Sequence, residues 1–306
     1  MSSPVVVLAG GTGGAKLARG MLDVVGPDEF VVIANTGDDI EIYGAYVSPD
    51  PDLVTFWLDD RIDERGWGLA GDTFNVMDGL RELGTEVWFH LGDRDLAIGL
   101  ERARLLREGA RLTETHSAIA ASLGVRVRGL PMSDAPVRTR VSARGRWSAF
   151  QEFMIREQGR GPLEGVEFRG ARAARPTPEA LAAIESARSI VIGPSNPIAS
   201  IGPILAVPGL REALLESGAP IVAVSPLVRG EVLKGPTAAF LELERRALDS
   251  SGIVACYDGL VDGLVADERT DGLPVLETDV LMGTPAARTR LAGETLRFAL
   301  ALAASR

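Results

Sequence analysis

Val5 to Met21 reads VVVLAGGTGGAKLARGM. An apolar run gives way to glycine at positions 10, 11, 13 and 14, and then to apolar residues at helical spacing. Strand, glycine turn and helix in this order predict the first unit of a parallel α/β sheet. The turn would present free backbone N–H groups to an anion, helped by the dipole of the helix that follows. Two well-known versions of this unit do not fit. A dinucleotide turn needs Gly-x-Gly-x-x-Gly, and counting from Gly11 and Gly13 the last position falls on Lys16. A P-loop needs Gly-Lys followed by Ser or Thr, and the chain has Ala15-Lys16-Leu17. Both a nicotinamide dehydrogenase and a P-loop NTPase are disfavoured. A glycine turn can also do no more than pack a helix on a strand. With glycines on both sides of Thr12 and Lys16 one turn later, a diphosphate site at Gly11, Thr12, Gly13, Gly14 and Lys16 is the favoured reading.

The same alternation runs on. VVVLA, FVVIA from Phe30, EVWFHLG from Glu86, SIVIG from Ser189 and PIVAVS from Pro220 read as strands, because continuous β-branched runs suit a sheet covered on both faces. AKLARGMLDVV, DTFNVMDGLRELG, PTPEALAAIESA and PGLREALLES read as helices, with Asp72 and Thr177 as N-caps and Pro178 at the first helical position. The C-terminal TPAARTRLAGETLRFALALAAS predicts one closing amphipathic helix. The pattern predicts a Rossmann-like, doubly wound, mostly parallel sheet. One domain is expected over residues 1–306, with a mixed α+β insertion or cap at about 53–172. Within that insertion, VRVRGLPMSDAPVRTRVSARGRWSAFQEFMI alternates like a hairpin rather than a βαβ unit.

Composition narrows the function. The 306 residues carry 32 Lys plus Arg against 42 Asp plus Glu, a formal net charge of -10, which is unfavourable for nucleic acid or anionic lipid. The single cysteine, Cys256, excludes an internal disulfide and a Cys-rich zinc site, and its apolar context GIVACYDG suits a buried, inert thiol. The start MSSPVVVLAGG has no basic region before its apolar run, and no window approaches the ~20 apolar residues of a membrane helix. A reduced, cytoplasmic protein is expected.

In such a sheet, ligands bind beyond the carboxyl ends of the strands. FVVIA runs into NTGDDIEIYGAYVSPDPD, which gathers Asp38, Asp39, Glu41, Asp50 and Asp52 near that edge. Hard carboxylate oxygens beside a phosphate site suit Mg²⁺, and Asp38 and Asp52 are the chosen ligands; the competing reading is a solvated acidic loop. SIVIG runs into GPSNPIASIGPI, where Gly193, Ser195, Asn196 and Ser200 offer backbone, hydroxyls and an amide on a proline-stiffened loop. LGDRD sets Arg94 between two carboxylates, either as a structural knot or facing a substrate phosphate. Trp67 in RGWG covers a flat ligand or makes a satellite core contact. His90 reads as packed within a strand and His116 as a surface residue of a helix; with two histidines and no Gly-x-Ser-x-Gly, a hydrolase triad is disfavoured.

The series GGTGG, NTGDD, SPDPDLVT, RGWG, GDTF, LGDRD, LPMSD, FQEF, GPSNPIASIGPI and the Ser-Pro of VAVSPL, in order over nearly the whole chain, resembles the 2-phospho-L-lactate transferase family of coenzyme F-420 biosynthesis. The resemblance implies a Rossmann-like core, a homodimer, and Mg²⁺-dependent transfer from a guanosine diphosphate adduct of lactate or enolpyruvate. The acceptor it implies is 7,8-didemethyl-8-hydroxy-5-deazariboflavin (Fo), whose ribityl hydroxyl attacks the acid-bearing phosphate while GMP leaves, giving F-420-0 or its dehydro form. On this basis Gly11–Gly14 and the GPSNP loop hold the nucleotide, Asp38 and Asp52 hold the metal, and Asp39, Trp67, Asn75 and Arg94 meet the deazaflavin. No general base is identified by spacing.

Two departures from that family pattern stand out. Where the pattern continues Pro-Asp-Leu-Asp-Thr, this chain reads Pro51-Asp52-Leu53-Val54-Thr55, so Val54 replaces a carboxylate and ligation rests on Asp52, with Asp50 or Asp39 to compensate. Ala149 stands before Phe150-Gln151 where histidine is usual. The loss at Val54 favours a second reading, a non-catalytic nucleotide- or nucleotide-sugar-binding regulator related to the gluconeogenesis factors. Retention of LGDRD and the full GPSNPIASIGPI loop speaks against it.

Overall fold

The computed structural model describes residues 3–304. Seven parallel strands form the central sheet: β1 (Val5–Ala9), β2 (Phe30–Ala34), β3 (Arg128–Pro131), β4 (Ser189–Ile192), β5 (Ile221–Val224), β6 (Gly263–Ala266) and β7 (Val275–Glu277). Their spatial order is β7-β6-β5-β4-β1-β2-β3, and every neighbouring pair is parallel. The chain winds outward from β1 through β2 to β3, then returns to the other side of β1 and winds outward again. The direction therefore reverses between β1 and β4, and the crevice at their carboxyl ends is where this architecture binds ligands. Every residue of β1, β2, β4, β5 and β6 is buried, which is why, after Phe30, Ser189 and Gly263 at the starts of β2, β4 and β6, their sequences are Val, Ile, Leu and Ala with no polar alternation.

One face of the sheet packs on α1 (Gly11–Val25), on α2 (Pro49–Leu58) and on the closing helix Pro285–Ala304, through Leu17, Met21, Trp57, Leu291 and Leu296. The other face is covered by Pro178–Glu185, Leu210–Glu216 and the later helices, through Ile184, Leu210, Leu214, Phe240 and Ile253. Thr177 caps Pro178–Glu185 as expected, its hydroxyl accepting from the Ala180 N–H at 3.2 Å. A satellite core of Ala45, Val47, Met77, Leu91 and Leu96 lies beneath the hairpin Ile40–Val47 and the helices α3 (Asn75–Glu82) and α4 (Asp93–Arg107). Helix α5 (Leu112–Ser122) completes this region.

Several expectations change here. Residues 86–92 form no strand: Val87, Phe89 and Leu91 are drawn into the satellite core, Trp88 stacks on Phe89 with ring centres 5.6 Å apart, and the sheet edge beside β2 is taken by β3. His90 is packed, but against the Phe74 ring at 4.3 Å rather than in a ladder. The stretch 53–172 thus divides, since β3 lies within it and returns to the main sheet. The expected hairpin follows β3, Arg138–Ala143 pairing antiparallel with Arg146–Ala149, and Leu163–Arg169 adds a third strand on its other side. His116 is 2% exposed, not a surface residue. It sits under the sheet edge with Nε2 3.4 Å from the Thr55 hydroxyl, and burial, reinforced by the positive charge of Arg102, pushes its pKa down to about 4, so it is neutral at pH 7. Cys256 is half-buried, and burial raises its thiol to about 11, an unreactive state.

Asp72 does not cap the helix that follows it. Its carboxylate accepts from the N–H groups of Arg94 (2.9 Å) and Asp95 (3.1 Å) at the start of α4. Asp93 in turn accepts from the N–H groups of Asn75 (3.1 Å) and Val76 (3.0 Å) at the start of α3, and from the Thr73 hydroxyl at 2.6 Å. Each helix is capped by the carboxylate that precedes or opens the other, and this exchange fixes how α3 and α4 meet.

Candidate functional site

Three loops meet at the carboxyl ends of β1, β2 and β4. A Cβ on Gly13 would lie 2.0 Å from the Pro194 carbonyl oxygen, so the glycine turn and the loop after β4 touch backbone to backbone only because position 13 has no side chain. Gly14 and Gly193 face each other at the same contact. Ser195, buried, accepts from the Gly10 N–H at 3.2 Å. A Cβ on Gly10 would meet Ser200 at 2.6 Å and an Asp50 oxygen at 2.9 Å, so Gly10, Ser200 and Asp50 converge on one point. The Asn196 side chain accepts from the N–H groups of Ile198 and Ala199 at 2.9 Å each and stiffens its own loop, while its buried Nδ2 has no partner. The predicted nucleotide residues Gly11, Gly13, Gly14, Gly193, Ser195, Asn196 and Ser200 are therefore brought together at the switch point.

The carboxylates sort by what holds them. Asp50, in the first turn of α2, accepts from the Gly11 N–H at 2.7 Å and from Asn35 Nδ2 at 2.8 Å. Asn35 closes its own turn by accepting from the Gly37 N–H at 2.7 Å. Asp38 is 6% exposed, and its Oδ1 has no hydrogen-bond partner. Burial, then the neighbouring charges of Asp50 and Asp39, pushes its pKa well above the ordinary carboxylate range. Burial likewise raises Asp50 to about 6. Two buried carboxylates, one of them raised by the other's charge and carrying an unsatisfied oxygen, fit a hard divalent cation. Among the described residues no cluster of three or more Asp, Glu, His or Cys could hold a metal alone, so such an ion would complete its shell with water and ligand phosphate oxygens, as Mg²⁺ does.

Asp52, expected to be the second metal ligand, is placed elsewhere. Both of its oxygens are engaged by Arg102, Nη1 donating to Oδ2 at 3.0 Å and Nη2 to Oδ1, and Arg102 is fully buried. Two positions along α2, roughly half a turn, separate the two roles: Asp50 faces the glycine turn and Asp52 faces α4. Val54, read as a missing carboxylate, is 1% exposed within the apolar core beside Trp57 and Leu58, and no carboxylate is lacking from the site on its account. Asp39 accepts from the Ser48 hydroxyl at 2.7 Å and the Tyr46 hydroxyl at 3.0 Å, and Arg138 donates to that Tyr46 oxygen at 2.9 Å. Burial raises Asp39 to about 7 in spite of these partners.

Asp95 lies behind the ion pair. Burial, then the negative charge of Asp52, raises its pKa to about 7. A carboxyl whose pKa is raised by folding contributes stability that is fully present below the unfolded pKa and is lost as pH rises through the folded one. Asp95→Asn should therefore raise the thermal midpoint by on the order of 3 °C near pH 8 and by much less near pH 5. An equal shift at both pH values, measured by calorimetry, would show that charge is not the cause.

Of the remaining predicted residues, Thr12 and the loop that carries Trp67 meet at the start of α1. Gly66 approaches Thr12, a Cβ there lying 3.7 Å from the Thr12 methyl, and the loop carries Trp67, which is 50% exposed. The Arg65 guanidinium lies 4.3 Å from the Trp67 ring centre and 5.9 Å from that of Phe74, which stacks on His90. This makes an aromatic wall beside the glycine turn. Asn75 donates from Nδ2 to Asp93 at 3.0 Å, and the Arg94 side chain is exposed and forms no ion pair among the described residues. LGDRD is thus a knot of helix caps rather than of salt bridges. Asp39 does not join this group; it lines a cleft on the other side of Asp38. Lys16 and Arg288 both lie over Trp57, at 5.5 Å and 5.1 Å from its ring, and burial together with the charges of Lys234 and Arg288 holds the Lys16 pKa below its usual value. Arg288 and Lys234 are distant in sequence from the glycine turn, and no local signal pointed to them.

The family model described as 2-phospho-L-lactate transferase CofD matches residues 5–279. The chain belongs to this family. It is 37% identical over 266 residues to the 2-phospho-L-lactate transferase of Methanosarcina mazei, covering 87% of each chain, and 38% identical over 310 residues to the phosphoenolpyruvate transferase of Kitasatospora aureofaciens, covering 94% of this chain and 97% of that one. The fold is also similar to the crystal structure of protein BH3568 from Bacillus halodurans, with a TM-score of 0.57 and 20% identity over 96% of this chain and 91% of that chain. At that identity the likeness is one of fold. The transferase is accordingly an enzyme, and the non-catalytic regulator reading gives way to it. Among its described residues no helix is long and apolar enough to cross a membrane.

Proposed function

We propose that the enzyme transfers a phospholactyl or phosphoenolpyruvyl group from its guanosine diphosphate adduct to the ribityl hydroxyl of Fo, releasing GMP and forming F-420-0 or dehydro-F-420-0. The observation that carries this reading is the pair Asp38 and Asp50 at the β1/β4 switch point, one with an unpartnered buried oxygen, set against a glycine turn and the GPSNP loop. In the reaction the hydroxyl oxygen forms a new bond to the acid-bearing phosphorus, the bond from that phosphorus to the GMP oxygen breaks, and the hydroxyl proton is lost. Transfers of this kind need positioning and charge neutralisation more than covalent help from the protein.

Gly11 to Gly14 would present N–H groups to the diphosphate, and Ser195, Asn196 Nδ2 and Ser200 would hold the nucleotide from the facing loop. Lys16, with Arg288 and Lys234 nearby, supplies positive charge that no carboxylate of the described residues ties up in an ion pair. Asp38 and Asp50 would hold Mg²⁺, which when bound offsets the negative charge on the departing GMP. The half-exposed Trp67, with Phe74 and His90 behind it, offers the flat apolar surface that a deazaflavin ring needs, and Arg94 is free to meet its polar edge.

The test is fluorescence titration of Fo into the protein with and without GDP and Mg²⁺, followed by mass analysis of the product when the adduct is supplied. Saturable Fo binding that tightens with GDP and Mg²⁺, and a product carrying the acid-bearing phosphate, is the expected result. No Fo binding under any of these conditions would overturn the proposal.

A further inference from the structure

On the side of Asp38 away from the glycine turn, the site opens into a cleft of about 390 Å³ that the roles above leave unused. One wall is the acidic loop from Gly37 to Glu41, and the other is the outer face of the three-stranded antiparallel sheet. On that face Arg138 stands directly across from Arg169, and Arg140, two residues along, projects from the same side. Like charges directly opposite one another destabilise a sheet, so this pairing calls for an anion. Arg138 is engaged, donating to the Val137 carbonyl at 2.8 Å and to Tyr46. Arg140 is held loosely, reaching Glu167 at 3.5 Å and the Trp147 carbonyl at 3.3 Å. Arg169 is exposed and makes no ion pair or side-chain hydrogen bond among the described residues. At the inner end Thr139, between the two arginines on its strand, turns its side chain to the opposite, buried face, where its hydroxyl lies against Asp38.

We propose that this cleft receives the carboxylate of the acid carried on the transferred phosphate, with Arg169 and Arg140 as its ion-pair partners. The inference rests on the transferase reading above. Asp38 belongs both to the carboxylate pair that would hold Mg²⁺ against the phosphate and to the lining of the cleft. A phosphorus held next to Asp38 therefore places its acid substituent, whose carboxyl carbon is three bonds away, at the cleft entrance. Guanidinium groups pair with a carboxylate in a fixed two-point geometry, so this end of the site would select an acid over a neutral substituent of the same size. The carboxylate is the group that phospholactate and phosphoenolpyruvate share, and one cleft would accept either.

The test compares the affinity of GDP with that of the freshly prepared phosphoenolpyruvyl adduct, in the presence of Mg²⁺ and without acceptor, for the parent protein and for Arg169→Ala and Arg169→Lys. The parent is expected to bind the adduct about tenfold more tightly than GDP, Arg169→Ala to lose that gain with GDP affinity unchanged, and Arg169→Lys to keep part of it. An undiminished gain in Arg169→Ala overturns the proposal, and so does a loss of Fo affinity in its place, which would give the cleft to the acceptor. Neither result touches the transferase reading if the parent forms product. Absence of product from the parent overturns that reading, whatever Arg169 does.

Discussion

Asp38→Asn is expected to lower turnover by roughly three orders of magnitude while raising the unfolding temperature of the ligand-free protein. Both effects come from one cause. Asp38 is buried beside Asp50 and Asp39 and is held with its pKa well above the ordinary range, so at neutral pH its charge costs stability. The sign follows from linkage: the contribution of a group with a raised folded pKa is present below its unfolded pKa and lost as pH rises through the folded value. The amide removes that penalty and keeps the shape. It also removes the oxygen that would hold Mg²⁺ against the diphosphate. Turnover and thermal midpoints measured on the same preparation check both halves. Unchanged turnover would take Asp38 out of the metal site, and a lowered midpoint would show that the carboxylate pair is not repulsive.

The second large effect is expected at Arg102. Its guanidinium is fully buried, holds both oxygens of Asp52 and also donates to the Tyr46 carbonyl at 3.0 Å. Removing one member of a buried pair leaves the other charge without compensation, at a cost of about 3–5 kcal/mol. Here the stranded Asp52 would also face Asp95, whose own pKa is already raised by it. Arg102→Met should lower the midpoint by roughly 6 °C. The double change Arg102→Met with Asp52→Leu should recover most of that loss, because a packed apolar pair replaces the ions. If the single change is tolerated, or the double is no better than the single, the pair does not carry the packing of α2 against α4.

The central sheet could be read from the chain because five of its strands are buried on both faces, and such strands are written as plain runs of Val, Ile, Leu and Ala. Four of those runs were read as strands. The glycine turn was readable for a related reason: a backbone that must touch another backbone excludes side chains. The failures have physical causes too. EVWFHLG has strand composition, but its apolar residues are consumed by a local core, and nothing in the sequence distinguishes that from a ladder. The edge strand RGLP has a glycine, a proline and an exposed arginine, the marks of a loop. His116 was hidden by its polar neighbours Thr113, Glu114, Thr115 and Ser117, although Thr113, Thr115 and His116 all turn inward.

Within the site, the acidic loop is legible, but the sequence does not tell which aspartate of SPDPD faces the glycine turn and which is paired with an arginine. Sequence spacing shows that both lie near the strand edge; only the placement of Arg102, fifty positions away, decides which of them is neutralised. The cations at Arg288, Lys234 and Arg169 were invisible for the same reason, since each comes from an element remote in sequence from the loop it serves.

The bond from the Gly11 N–H to Asp50 bears on how the site chooses its ligand. The start of α1 is not bare before a ligand arrives: it already holds an anion, supplied by the protein itself. Binding a phosphate there is an exchange of one negative group for another, and a simple anion has little to gain from it. A ligand gains when it brings a counter-ion that satisfies the resident carboxylate and the incoming oxygens together. A nucleoside diphosphate accompanied by a divalent cation does this, and free phosphate or sulfate does not. On the proposed function, the carboxylate at position 50 would act as an occupant that sets an entry requirement, and the glycine turn would admit diphosphate esters in preference to the more abundant small anions of the solution.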